Sequence, residues 1–179
     1  MEEKRGVLFL ADPLRAVALP QRQLKNPCSA LIFDENERLL PQAQEALWEM
    51  RARCGWVCVA ASGAAVGAAT ALAAQLPVDR LALADGALFA GWGKRLPREL
   101  SRLRRFARRN LALVASELLL VNAPPGEIAA FARVLGPGRL CALETGAPPD
   151  RPWESCAELL CAPWSRVNEN NLLIPWKCV

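Results

Sequence analysis

The chain contains no histidine. Ser-His-Asp and Cys-His catalysis are therefore excluded, as is any histidine metal site. Tyrosine is absent as well, so catalysis would have to use carboxylates, lysine, Ser/Thr hydroxyls or cysteine. No apolar run reaches the roughly 18 residues that a membrane helix needs. The start, MEEKRGVLFLADPLR, is acidic, then apolar, and soon meets charge and proline, which makes a poor signal peptide. A cytoplasmic protein with no membrane partner is expected. The seven cysteines (Cys28, Cys54, Cys58, Cys141, Cys156, Cys161, Cys178) contain no CxxC. Most sit in apolar runs, which points to buried reduced thiols rather than disulfides or a metal site.

What is present suits one ordinary domain: 179 residues, 53% hydrophobic and 22% charged, enough to bury a sizeable core. The net charge of +4 is uneven, because Arg98, Arg102, Arg104, Arg105, Arg108 and Arg109 crowd one segment. Leu100, Leu103, Phe106 and Ala107 fall at helical spacing among them, and no other aromatic residue interleaves. The segment fits the solvated face of an amphipathic helix better than a nucleic-acid site, and no nucleic-acid partner is expected.

Apolar runs separated by turn residues set the organisation. Val7 to Ala11 predicts a buried strand ended by Asp12-Pro13, and Pro13, Pro20 and Pro27 mark a loop or loose hairpin after it. Ser29 to Phe33 predicts a strand ending on Asp34. A helix from Pro41 to about Arg53 follows, then a strand over Trp56 to Ala61 ending on Ser62. The alanine-rich run Gly63 to Gln75 predicts a closely packed helix, and Arg80 to Ala84 a third buried strand. Strand, helix, strand, helix, strand is the pattern of a parallel sheet with right-handed crossovers. Beyond residue 94 a basic helix (97–110), a strand over Glu117 to Asn122, a helix over Glu127 to Leu135 and a strand over Leu140 to Leu143 suggest a separate unit. The expected fold class is α/β: a three-layer parallel sheet with an incomplete Rossmann-like core over 1–93. A small α+β cap-like insert over 94–170 and a return segment over 171–179 complete it. An unpaired sheet edge beside the Asp34 strand would allow a homodimer.

Asp34 and Ser62 carry a resemblance. FDENERLLPQAQEALWEMRARCGWVCVAASG resembles the start of a haloacid-dehalogenase-like hydrolase, in which a hydrophobic strand ends in D-x-D and the next strand ends in Ser or Thr. ALADGALFAGWGKRLP resembles a strand-turn of the family's sugar-phosphatase branch, where a cap follows. The resemblance implies phosphate-monoester hydrolysis through an aspartyl phosphate, with Mg²⁺ as cofactor and a small phosphorylated metabolite as partner. Carried over residue by residue, Asp34 is the nucleophile and metal ligand, and Asn36 stands where the general acid would be. Ser62 and Gly63, at a helix start, and Lys177 are phosphate-binding. Asn36 cannot act as that acid, and Glu37-Arg38 replaces the Gly-Thr expected next. A second register makes Asp12 the nucleophile, with ALIFDENERLLP as a hairpin; it puts Pro13 and Leu14 in the motif. Neither register keeps a D-x-D pair. The alternative is a catalytically inactive remnant that binds a ligand or partner.

A second resemblance is to the nucleophile elbow of α/β-hydrolases, carried by VAASGAAVGAATALAAQLPVDRLAL with Ser62 as the nucleophile. Ala60 and Ala64 stand where the motif has glycine, and no histidine exists to activate a serine, so an enzyme reading on this motif is rejected.

Overall fold

In the computed structural model, residues 4–12, 14–20, 24, 28–31, 39–90, 95–114, 117–135 and 139–162 are described. The strands are β1 (Arg5–Leu10), β2 (Cys28–Leu31), β3 (Trp56–Ser62), β4 (Arg80–Ala84), β5 (Glu117–Val121) and β6 (Leu140–Leu143). The helices are α1 (Leu39–Arg53), α2 (Val66–Gln75), α3 (Arg98–Arg109) and α4 (Pro125–Leu135). All strand pairs are parallel and form one sheet in the order β2-β1-β3-β4-β5-β6. The expected α/β fold with a parallel sheet is observed.

The order explains the layering. The chain steps one way from β1 to β2, then the other way at every later crossover. Right-handed connections put α1, α2 and α4 on one face, and the described part of the β1–β2 connection, with Leu19 and Leu24, lies on the opposite face. Alternation along the strands agrees: Leu8, Leu10, Val59, Leu83 and Leu120 join the helices in one core. Val7, Phe9, Cys58, Ala82 and Val121 join Leu19, Leu24 and the segment around Trp153–Cys161 in a second core. Among the described residues that second layer holds a 3-10 turn at Ala157–Leu160 and the buried Trp153 ring, edge-on to Phe9 at 6.4 Å. Helix α2 is buried from Val66 to Ala73, which suits its apolar composition on every side. Its Gly67 lies so near α3 that an added Cβ would come 2.8 Å from the Arg104 Cβ.

Residues past 94 do not form a separate unit. Strands β5 and β6 extend the same sheet, and α3 packs on α2. The division at residue 94 is thereby corrected: the charge of α3 marks an outer helix, not a boundary. The hairpin expected in the second register is corrected as well. Strand β2 runs parallel to β1, and residues 39 and 40 already begin α1. The return segment 171–179 lies outside the described residues.

Two polar clusters pin the framework. At the N-terminal edge, fully buried Arg80 donates to Glu117 Oε2 (2.6 and 2.9 Å) and to the carbonyls of Leu159 and Ala162. Arg5 and Arg80 each stack on the Trp56 ring at 4.9 Å, and Arg5 reaches the Cys161 carbonyl. Near the other edge, buried Glu127 of α4 accepts the N–H groups of Leu88, Phe89 and Ala90 at 2.8, 2.7 and 2.6 Å. Arg104 and Arg108 of α3 donate to the carbonyls of the same loop. Two of the crowded arginines thus hold a loop, and Arg102, Arg105 and Arg109 are exposed. No helix among the described residues is long and apolar enough to cross a membrane.

Candidate functional site

The C-terminal ends of the strands gather polar residues in a row. Ser62, Ala84, Val121 and Leu143 are in register, so Gly63, Asp85, Asn122 and Glu144 come next on adjacent strands. Asp12 stands two residues past the end of β1. Between β1 and β3 the chain reverses its direction across the sheet, and such switch points are where open α/β sheets leave a crevice for ligands.

Three of these positions leave their strands in the left-handed region: Gly63 (φ 55°), Asp85 (φ 46°) and Asn122 (φ 52°). Asp and Asn tolerate it better than other residues with a Cβ. At Gly63 glycine is required for space as well. An added Cβ would lie 2.1 Å from Asp12 Oδ2 and 2.8 Å from Arg15 Nη2. The side chain of Asp12 is 3% exposed. Its Oδ1 accepts from Leu14 N at 2.8 Å, and its Oδ2 accepts from Ala64 N at 3.2 Å. Arg15 Nε lies 3.7 Å from the same Oδ2. The carboxylate therefore fills the place that a side chain on residue 63 would take, and it occupies the N–H group one residue beyond.

Next along the edge, Asn122 Nδ2 donates to Asp85 Oδ1 at 3.4 Å, and Asn122 Oδ1 accepts from Thr145 N at 2.8 Å and Thr145 Oγ1 at 3.2 Å. Burial pushes the Asp85 carboxyl above its ordinary value, against the Asn122 bond and the Arg15 charge, which both lower it. Asp85 Oδ2, Arg15 Nε and Arg15 Nη2 are buried without a hydrogen-bond partner among the described residues. Gly86 closes the row on β3: its added Cβ would meet the Gly63 carbonyl at 2.7 Å.

The expected site residues divide sharply. Asp34, Asn36 and Lys177 lie outside the described residues. Strand β2, which precedes Asp34, is separated from β3 by β1, so the two strands are not the neighbours that the crossover suggested. Asp12 is brought against the Gly63–Ala64 turn. Ser62 is extended (φ −132°, ψ 160°), 2% exposed, and makes no side-chain cap bond to the following helical turn. Strand alternation puts it on the Cys58 and Ala60 side, away from α2. Arg15, Asp85, Asn122 and Thr145 escaped the sequence reading. Asp85 and Asn122 follow apolar strands directly, the position that singled out Asp34, but Asp85-Gly86 also has ordinary turn chemistry.

Magnesium does not suit the described residues. Both Asp12 oxygens are engaged by N–H groups, a guanidinium stands beside them, and position 14 is leucine. No group of three potential metal ligands occurs among the described residues. The cysteines Cys54, Cys58, Cys141, Cys156 and Cys161 are free and buried. Burial raises the Cys58 thiol far above its ordinary value and pushes Cys141 and Cys156 up to about 12, so these three are not activated nucleophiles.

Comparison with protein-family models finds no match, and comparison with curated proteins finds none. Solved structures do match. One, from work on two metagenome-derived lipolytic enzymes among known lipase and esterase families, superposes with a TM-score of 0.61 at 10% identity and covers 80% of this chain and 84% of that one. The chain is similar to that lipolytic enzyme in fold.

Proposed function

We propose that this protein is a non-catalytic ligand-binding protein on an α/β-hydrolase-like fold, with its site at the C-terminal sheet edge around Asp12, Arg15, Gly63 and Asp85. In enzymes of that type the nucleophile sits on a sharp strand-to-helix turn. The N–H one residue later, with an N–H from the loop after a neighbouring strand, binds the oxyanion. Here the turn residue in the left-handed conformation is Gly63, flanked at two residues by Ala61 and Ala65, and Ser62 belongs to the strand. One observation carries the reading: the Asp12 carboxylate occupies the space of the missing side chain and both N–H groups. The absence of histidine from the chain agrees with it. The free buried cysteines suit a reducing, cytoplasmic setting.

A second reading keeps the haloacid-dehalogenase-like resemblance and phosphate-monoester hydrolysis. It is favoured by the placement of Asp12 at the end of β1, beside the start of a helical segment, as its second register requires. Against it stand the engaged oxygens of Asp12 and the lack of a second carboxylate at position 14.

The test is initial-rate hydrolysis of p-nitrophenyl butyrate and p-nitrophenyl phosphate, the latter with and without Mg²⁺. Release of nitrophenol at the rate of buffer alone is expected in every arm. Ester turnover lost in Ser62→Ala would sink the binding reading. Mg²⁺-dependent phosphate release lost in Asp12→Asn or Asp34→Asn would establish the second one.

A further inference from the structure

We infer that the outer face of α3 is a docking surface for an acidic helical segment of a partner protein. One row of side chains builds that face. Arg98, Arg102, Arg105 and Arg109 stand at i, i+4, i+7 and i+11, which is a single stripe of a helix, and all four are exposed. Leu100, Leu103 and Ala107 fall on the opposite side and are buried, where α3 packs on α2. At 1.5 Å per residue the row runs about 16 Å along the helix. Among the described residues little balances it. Glu99 is the one acidic residue of α3, its side chain 13% exposed and 3.8 Å from Arg102. Arg98, Arg105 and Arg109 have no carboxylate within ion-pair distance among the described residues. Like charges at i+3 and i+4 weaken a helix, and Arg98 adds a cation at the positive end of the dipole. The row therefore works against the isolated fold, and carboxylates laid along it offset both terms.

The flanks of the row select the class of polyanion. On one flank Arg104 and Arg108 are committed to the carbonyls of Leu88, Phe89 and Ala90. On the other, Phe106 is 37% exposed, and Leu113, 66% exposed, follows a turn beyond Arg109. A protein segment covers such apolar surface while its carboxylates meet the guanidiniums, whereas a phosphodiester backbone meets the guanidiniums alone. An α-helix also repeats the spacing of the row, so glutamates at i, i+4, i+7 and i+11 face all four arginines at once. A lipid surface fits less well, because the apolar face of α3 is already buried on α2 and cannot lie in a bilayer. The surface shares no residue with the proposed sheet-edge site, and either stands without the other.

The test is fluorescence anisotropy of a fluorescein-labelled helical peptide, with Glu at i, i+4, i+7 and i+11 and Leu on one flank, titrated with the full chain. Saturable binding is expected, weakened severalfold from low to physiological ionic strength. The same peptide with Gln in place of Glu does not bind. Arg102→Glu combined with Arg105→Glu weakens the Glu peptide by about tenfold or more. A peptide with Lys in place of Glu binds that double variant better than it binds wild type. If the double variant does not fold, Arg102→Gln with Arg105→Gln takes its place and shows the same direction of loss. Absence of saturable binding by the Glu peptide, or equal affinity in wild type and the double variant, overturns the inference. So does tighter binding of labelled single-stranded or duplex DNA, or of phosphatidylserine vesicles, than of the Glu peptide.

Discussion

Gly63→Ala is the sharpest perturbation of this edge. The new Cβ would sit 2.1 Å from Asp12 Oδ2, well inside contact distance, at a backbone φ of 55°. The left-handed conformation alone costs a residue with a Cβ about 1–2 kcal/mol. The carboxylate must also move, and it releases the N–H groups of Leu14 and Ala64, at roughly 1 kcal/mol or more apiece. Together these give about 3–5 kcal/mol, a large share of the stability of a domain. Removing the carboxylate first removes the collision. In an Asp12→Ala background, Gly63→Ala should cost only the conformational part, so the two changes couple by about 2 kcal/mol in a double-mutant cycle. Urea unfolding followed by tryptophan fluorescence gives all four stabilities, provided the slopes stay equal. Costs that add to within about 0.5 kcal/mol, or a Gly63→Ala penalty below about 1 kcal/mol, would refute the placement of Asp12 against Gly63.

Other expectations follow from the same framework. Arg80→Ala leaves Glu117 and the Leu159 and Ala162 carbonyls without their buried donor, and should destabilise by about 3–5 kcal/mol in urea unfolding. Glu127→Ala should cost about 2–4 kcal/mol and speed amide exchange selectively at Leu88, Phe89 and Ala90. Asp85 has a folded-state pKa above its unfolded one, so the folded state binds more protons between the two values and stability falls as pH rises through that window. Asp85→Asn, which tolerates the left-handed backbone, should therefore stabilise the protein at pH 7, with the gain vanishing in acid below the ordinary aspartate pKa of about 3.9. Cys58, Cys141 and Cys156, buried and raised in pKa, should resist an Ellman-type disulfide reagent at pH 8 until denaturant is added.

Strands β3, β4 and β5 are legible because each is a short apolar run closed directly by Gly, Asp or Asn, and α2 because alanine-rich runs suit burial. Strand order is not. Periodicity shows that Trp56–Ser62 follows a crossover, but it cannot show that the crossover passes over β1 rather than landing beside β2. That single step moved the neighbour of Ser62 from the strand before Asp34 to the strand before Asp12. The continuity of the sheet beyond residue 94 was hidden by α3, whose arginines look like a change of domain when they are the outer face of a helix over α2 and a clamp on the loop at 88–90. A hydroxyl at a strand end before a helix, as at Ser62, fits several mechanisms. The residue that turns the corner is Gly63, and only backbone geometry and the nearness of Asp12 expose it.

The central claim is that the Asp12 carboxylate sits on the Leu14 and Ala64 amides in place of a nucleophile. Its most direct measurement is amide hydrogen exchange at Leu14 and Ala64 by NMR, in wild type and in Asp12→Ala. Both amides should be protected in wild type and should exchange faster together in the variant. Unprotected amides in wild type, or protection unchanged by Asp12→Ala, would contradict it.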